Sequence, residues 1–174
     1  SAVEIDQVIN WLEEAADKHH QEARRLLASF YFDELSGHRQ SSEKSLAIFE
    51  QIAREGDIET QLKLAQHYQS HDSEKALYWL TSAANQGDAR AQYALAEIHF
   101  KGAWGLEQDL LKAVNLYHAS AVQGHPMAMY EMGHMYDHGH AVEKNLSKAL
   151  EWYEKAARSG VPAASAKLKE LKDK

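Results

Sequence analysis

The chain repeats itself with a period near 36 residues, and this restricts the folds open to it more than any other feature. The segments AIFEQIAREGD, YWLTSAANQGD, NLYHASAVQGH and EWYEKAARSGV align on Gly56, Gly87, Gly124 and Gly160. Eight residues before each glycine stands Ile48, Trp79, Leu116 or Trp152, always large and apolar. A degenerate copy, INWLEEAADKHH, places Trp11 eight residues before His19, so the large residues are spaced 37, 31, 37 and 36 apart. A single unit of this size cannot bury its own apolar face. Stacking on its neighbours can, and the result is a helical solenoid. Because Trp11, Trp79 and Trp152 recur at one register, they are expected in the core rather than on a platform for sugars or bases.

Each unit reads as two antiparallel helices, A and then B. After each glycine comes the register A-x-x-x-L-A-x-x-Y: Ala23, Leu27, Ala28, Tyr31; Thr60, Leu64, Ala65, Tyr68; Ala91, Leu95, Ala96, His99; and Ala128, Met132, Gly133, Tyr136. Spacings of 4, 1 and 3 put these side chains on one face of helix A. A loop follows, then the pattern [DNS]-x-x-K-[AS] at Ser41, Asp72, Asp109 and Asn145. Side chains of this type cap helix N-termini by accepting from first-turn amides, so helix B is expected to begin there. Helix B then runs to the glycine, which ends it in the left-handed conformation. Pro126 and Pro162 each lie two residues after such a glycine, in the first turn of the next helix A, where a missing N–H costs nothing.

The combination A-x-x-x-L-G-x-x-Y, a glycine-containing loop, D-x-x-K-A and W-Y-x-K-A-A-x-x-G resembles the Sel-1-like repeat (SLR), a relative of the tetratricopeptide repeat. Its clearest copies run from Gly133 to Gly139, through Lys148-Ala149, to Trp152-Tyr153-Glu154-Lys155-Ala156-Ala157. The resemblance covers nearly the whole chain. It implies an all-α, right-handed α/α superhelical solenoid of TPR-like helix-turn-helix repeats, forming one domain over 1–174. The repeats would be 19–55, 56–86, 87–123 and 124–159, preceded by an orphan helix B over 3–18 and followed by a capping helix over 162–172. The second unit departs from the pattern by losing about six loop residues, passing from Tyr68 to Lys75 through QSHDSE. The first departs by carrying His19 for glycine and DELSGHRQ as its loop.

The resemblance also implies that A helices line a concave groove that holds a peptide or partner domain. The positions left to face it are Glu22, Arg25, Ser29 and Phe32; Glu59, Leu62, Gln66 and Gln69; Arg90, Tyr93, Glu97 and Phe100; and Met127, Tyr130, His134 and Asp137. Aromatic and arginine side chains dominate binding hot spots, which puts the partner over Arg90, Tyr93, Phe100, Tyr130 and His134. The competing assignment is that these aromatics pack between repeats and the polar residues face water. By the same resemblance the chain is a non-enzymatic adaptor, scaffold or regulator in a bacterial setting. A periplasmic or secreted location is slightly favoured over a cytoplasmic one. Monomer is the default, with end-to-end pairing of the two orphan end helices as the alternative.

Composition excludes several classes. The absence of cysteine removes disulfides and thiolate metal sites, and no run of 18 apolar residues is present to insert in a membrane. A net charge of −7 with mixed signs argues against nucleic acid as the main ligand. Eleven histidines would carry the charge from −7 to +4 if all were protonated. His134 and His138, at i and i+4, and His140 in the next loop could reach one metal ion, which makes a His-dependent metal-responsive module a further alternative, but no acid stands in the H-E-x-x-H position. No cofactor is expected. Some cysteine-rich SLR proteins are described as penicillin-binding or β-lactamase-like, which makes a cell-wall or β-lactam hydrolase the enzymatic alternative. Ser41-Ser42-Glu43-Lys44 matches S-x-x-K, yet Ser41 and Lys44 coincide with the repeat's capping pattern, and no S-D-N or K-T-G accompanies them. Trp104, in the loop KGAWGLEQD, is a candidate edge contact or loop anchor.

Overall fold

The computed structural model describes residues 7, 11, 14, 20, 22–26 and 39–173, and the chain divides into two compact units, Ser1–His67 and Tyr68–Lys174. Among the described residues every regular element is an α-helix. These are α1 (Arg39–Arg54), α2 (Ile58–Tyr68), α3 (Ser73–Asn85), α4 (Ala89–Lys101), α5 (Leu110–Val122), α6 (Pro126–His138), α7 (Leu146–Arg158) and α8 (Pro162–Lys172). Helices α2, α4, α6 and α8 are A helices; α1, α3, α5 and α7 are B helices. The orphan helix expected over 3–18 is described only at Gln7, Trp11 and Glu14, each helical. Ser29, Phe32 and the loop residues 33–38 lie outside the described residues.

Local chemistry starts and stops these helices where the sequence pattern places the signals. Asp72, Asp109 and Asn145 cap α3, α5 and α7, their side-chain oxygens accepting from the amides of Lys75, Lys112 and Lys148 at 3.0, 2.9 and 3.0 Å. Each B helix ends in the same two bonds. In α5 the Gly124 amide donates to Ala121 O and the His125 amide to Ser120 O, with Gly124 at φ +94°. That left-handed turn is open to glycine without steric penalty and satisfies two orphan carbonyls. The A–B loop closes through one conserved-geometry bond: the amide of the capping residue donates to the last helix-A turn. The pairs are Asp72 to Tyr68 (2.8 Å), Asp109 to His99 (2.8 Å) and Asn145 to Tyr136 (2.9 Å). The shortened loop after α2 keeps this bond, so the missing residues alter the loop's excursion and not its closure. The first unit differs from expectation at one start: α1 begins at Arg39, which places Ser41 inside the helix instead of at its N-cap.

Burial corrects the expected core register. Trp79 is buried, but Ile48, Leu116 and Trp152 are only half-buried and Trp11 is 66 % exposed. In three repeats the deeper side chain stands one residue later, at Phe49, Tyr117 and Tyr153, while in α3 Trp79 and Leu80 are equally buried. Both positions fall on the same broad apolar stripe of helix B, and packing against the flanking A helices decides between them. Trp152 instead lies edge-on to His118 and under the Lys155 ammonium, 4.3 Å from its ring centroid. Two clusters organise the C-terminal part of the second unit. One gathers Ala96, Ala113, Val114, Tyr117, Ala121, Ala128, Met132 and Met135; the other gathers Ala149, Tyr153, Ala156, Val161 and Ala164. Small residues let the helices approach closely. Gly133 is the extreme case: a Cβ there would lie 2.6 Å from the Tyr153 ring.

Candidate functional site

The second unit brings α4 and α6 together along a seam of polar and aromatic side chains. At one end the Tyr93 ring of α4 stacks on His125, centroids 4.7 Å apart and planes within 20°. His125 is itself held as the N-cap of α6, its Nδ1 accepting from the Ala128 amide at 3.3 Å. At the other end Phe100 meets His134 and His140 at 6.4 and 5.9 Å. Beneath lies Tyr117 of α5, 0 % exposed, in ring contact with both Tyr93 and Phe100. Its hydroxyl donates to Glu97 Oε1, while Glu97 Oε2 pairs with Lys101.

The carboxylate of Glu131 on α6 completes the seam, and no sequence pattern singled it out. It is half-buried and has no hydrogen-bond or ion-pair partner among the described residues. Burial, and then the charge of Glu97, push its carboxyl up to about 7, against the pull of Lys101. Both carboxylates act on the tyrosines around them. Burial first, then Glu97 and Glu131, push the Tyr93 phenol up to about 12, and Tyr117 is displaced further in the same direction. Glu131 reads in the sequence as one more polar residue of a solvent-facing helix. Only the neighbouring helix, one repeat earlier, gives it its environment.

The expected groove residues divide by their surroundings. Tyr93, Glu97, Phe100 and His134 meet in the α4–α6 seam. Arg90 is exposed but turned back onto the Asp88 carboxylate at 2.8 Å. Asp-x-Arg across a helix N-terminus was the local signal for that pairing. Tyr130 leans on Tyr153 (5.5 Å), and Asp137 faces Lys167 at 3.5 Å and His138 at 4.0 Å. In the first unit Gln66 is exposed, and Arg25 is paired with Asp57 and, at 3.6 Å, with Glu22.

The rings of His134, His138 and His140 do cluster, with centroids 4.1, 5.5 and 5.5 Å apart. No group of three donors among the described residues converges on a point able to hold a metal. Burial, and then the neighbouring His138 and His140, hold His134 below its ordinary value, so this ring stays neutral where an exposed one would charge. Trp104 adopts a left-handed conformation (φ +56°), matched one repeat later by Ala141 (φ +55°), and is half-buried as part of the loop.

The repeat geometry has a counterpart among known families. The Sel1 repeat model matches residues 21–57, 59–88, 89–125 and 126–161. This chain belongs to the Sel1 repeat family. A Neisseria meningitidis protein described as uncharacterized is 32 % identical over 95 % of this chain and 34 % of its own length. Chitin synthase regulatory factor 3 of Schizosaccharomyces pombe is 29 % identical over 93 % of this chain and 19 % of its own. The Sel1 chain thus spans about a third or less of these relatives. A crystal structure of a protective antigen from uropathogenic Escherichia coli displaying an SLR fold superposes with a TM-score of 0.73. That match covers 95 % of this chain and 36 % of that one at 22 % identity, a likeness of fold. No described helix is long and apolar enough to cross a membrane.

Proposed function

We propose that the chain is a non-enzymatic protein-interaction module, an adaptor or regulator that holds a peptide or partner domain on the A-helix face of its C-terminal unit. The contact surface there is Arg90, Tyr93, Glu97, Phe100, Tyr130, His134 and Asp137; in the N-terminal unit, taken by itself, the candidate contacts are Arg25 and Gln66. One observation carries the reading. The α4–α6 seam presents half-buried aromatic rings beside a carboxylate with no partner, which is polar surface kept partly dry without being satisfied. A surface serving only as packing has little reason to hold an unpaired carboxylate there, because the group costs stability. Tyrosine and arginine with adaptable polar neighbours are also the commonest hot-spot residues. The regulatory role named for the yeast relative agrees with a binding module.

The test is affinity capture from the source cell, comparing wild type with Arg90→Ala/Tyr93→Ala of verified helicity and melting temperature. A protein held by wild type and lost by the variant is the expected result. Identical captures from both would move binding off this face and end the assignment.

A further inference from the structure

We propose that His134, His138 and His140 form an acid-operated latch on the loop between α6 and α7. While neutral, the three rings pack together and hold the loop against α4; once protonated, they repel one another and the loop opens. His134 and its neighbour Phe100 also belong to the proposed contact surface. The inference therefore rests on that reading for what the latch governs, and not for the latch itself.

The preceding repeat supplies the comparison. The two A–B loops share one backbone. Gly102 and Gly139 end their helices at φ +65° and +73°, and Trp104 and Ala141 follow at +56° and +55°. The Ala103 and His140 amides both donate at 3.0 Å, to Ile98 O and Met135 O. Thirty-seven positions before the three histidines stand Glu97, Lys101 and Ala103. Glu97 and Lys101 form an i, i+4 ion pair, of side-chain types whose ordinary titration lies outside the range from about pH 5 to 8. The same backbone thus carries an ion pair in one repeat and three imidazoles, which titrate inside that range, in the next.

The cluster is packed for the neutral state. Ring centroids lie 4.1, 5.5 and 5.5 Å apart, and the Phe100 ring of α4 meets His134 at 6.4 Å and His140 at 5.9 Å. The Nδ1 atoms of His134 and His140 are buried without a hydrogen-bond partner, while His138 Nδ1 lies 3.0 Å from His134 O. Counter-charge is scarce on every side. On α6, Asp137 lies 4.0 Å from His138 but is shared with Lys167 of α8 at 3.5 Å, and Lys167 in turn holds Glu170. Glu131, one turn before His134, is itself pushed toward its neutral form. On α4, Glu97 is engaged by Lys101 and the Tyr117 hydroxyl. On α7, Lys148 lies over the Tyr136 ring, and Glu143 and Lys144 of the loop are exposed. Asp137 can balance one proton at most. A second and a third put like charges at the spacing of the rings, with Lys167 adding to the repulsion.

The sign follows from this arrangement. Burial, then His138 and His140, disfavour the charged form of His134 in the closed loop. An opened loop, with its rings in water, takes up those protons more readily. The closed form therefore loses ground as pH falls below about 6.5, the ordinary histidine value.

The experiment is amide hydrogen exchange on the intact chain at pH 7 and pH 5, expressed as protection relative to the intrinsic rate. Protection of the amide at position 140 should fall roughly tenfold or more over that range, while Ala103, in the matching bond one repeat earlier, keeps its own. The triple variant His134→Glu/His138→Lys/His140→Ala writes the preceding repeat's side chains into this loop and should abolish the fall. Unchanged protection in wild type, or a fall that survives in the triple variant, would overturn the latch. A parallel fall at Ala103 would overturn it too, because the unit would then be opening as a whole. Should the triple variant misfold, His140→Ala alone removes the loop's own imidazole and should lose most of the pH dependence; an unaltered fall would count against the latch. The capture experiment decides the interaction module separately.

Discussion

Single side chains set the tolerances of this protein, and Gly133 sets the tightest. Alanine is the better helix former by about 1 kcal/mol, so propensity alone favours Gly133→Ala. The added methyl would meet Tyr153 Cδ1 at 2.6 Å and Cε1 at 2.7 Å, and that ring is fully buried with nowhere to retreat. Overpacking of this kind typically costs about 1–3 kcal/mol. The expected net loss is on the order of 1 kcal/mol, read as a fall of about 2–4 °C in melting temperature. Adding Tyr153→Leu should recover part of it, because the clashing ring is gone. Glu131 carries the opposite kind of strain. Its carboxyl titrates near 7 in the folded chain against an ordinary 4.5, so ionising it costs more folded than unfolded. That cost is absent below about pH 4.5, grows as pH rises, and is complete above about 7. Glu131→Gln should therefore melt higher than wild type at pH 8, with the advantage vanishing toward pH 4.5. A constant difference at both pH values would mean that the carboxylate is not strained.

At the scale of elements, what could be read in the sequence separates cleanly from what could not. Helix starts at Asp72, Asp109 and Asn145 and the glycine stops were legible, because caps depend on a few adjacent residues. The core register was legible only to within one residue: Trp152 and Tyr153 share a stripe, and neighbouring helices choose between them. Of the α4–α6 seam, the aromatic members Tyr93 and Phe100 could be singled out, whereas Glu131 could not, since its meaning comes from Glu97 on another helix. Ser41 shows the limit of a short pattern, sitting inside α1 where the capping motif placed a start. The N-cap of α6 adds a pH dependence to an element. His125 caps with a neutral Nδ1, and burial, opposed by Asp88, holds the ring below its ordinary 6.5. A depressed histidine loses stability for the fold as pH drops below 6.5, because the unfolded chain takes the proton more readily. His125→Asn keeps a capping side chain without titration. It should flatten the decline in melting temperature between pH 7 and 5, even if loss of the Tyr93 stack lowers the value at pH 7. An unchanged slope would clear His125 of the effect.

Over the whole molecule, the histidine content suggests a charge swing from −7 to +4 in acid, but the interior opposes it. His99, His125 and His134 are each held below their ordinary value, with burial the leading cause, so the swing is smaller while the chain stays folded. The second unit also has a solenoid's connectivity. Its principal helix contacts run α3 to α4, α4 to α5, α5 to α6, α6 to α7 and α7 to α8, each element resting on the next. Stability in such an array is roughly a sum of unit and nearest-neighbour terms, so damage should stay local. Tyr153→Ala removes the largest side chain of the C-terminal core, a change that costs about 3–5 kcal/mol in comparable sites. Amide hydrogen exchange should then show protection falling in α6, α7 and α8 while α3 keeps most of its own. The reason is physical: Tyr153 packs with Ala149, Ala156, Val161 and Ala164, whereas the preceding core is centred on Tyr117 and Met132. Equal loss from α3 to α8 would mean that the unit opens as one body. The α4–α6 seam would then be only as rigid as its weakest repeat, and a partner bound there would stabilise every helix of the unit together.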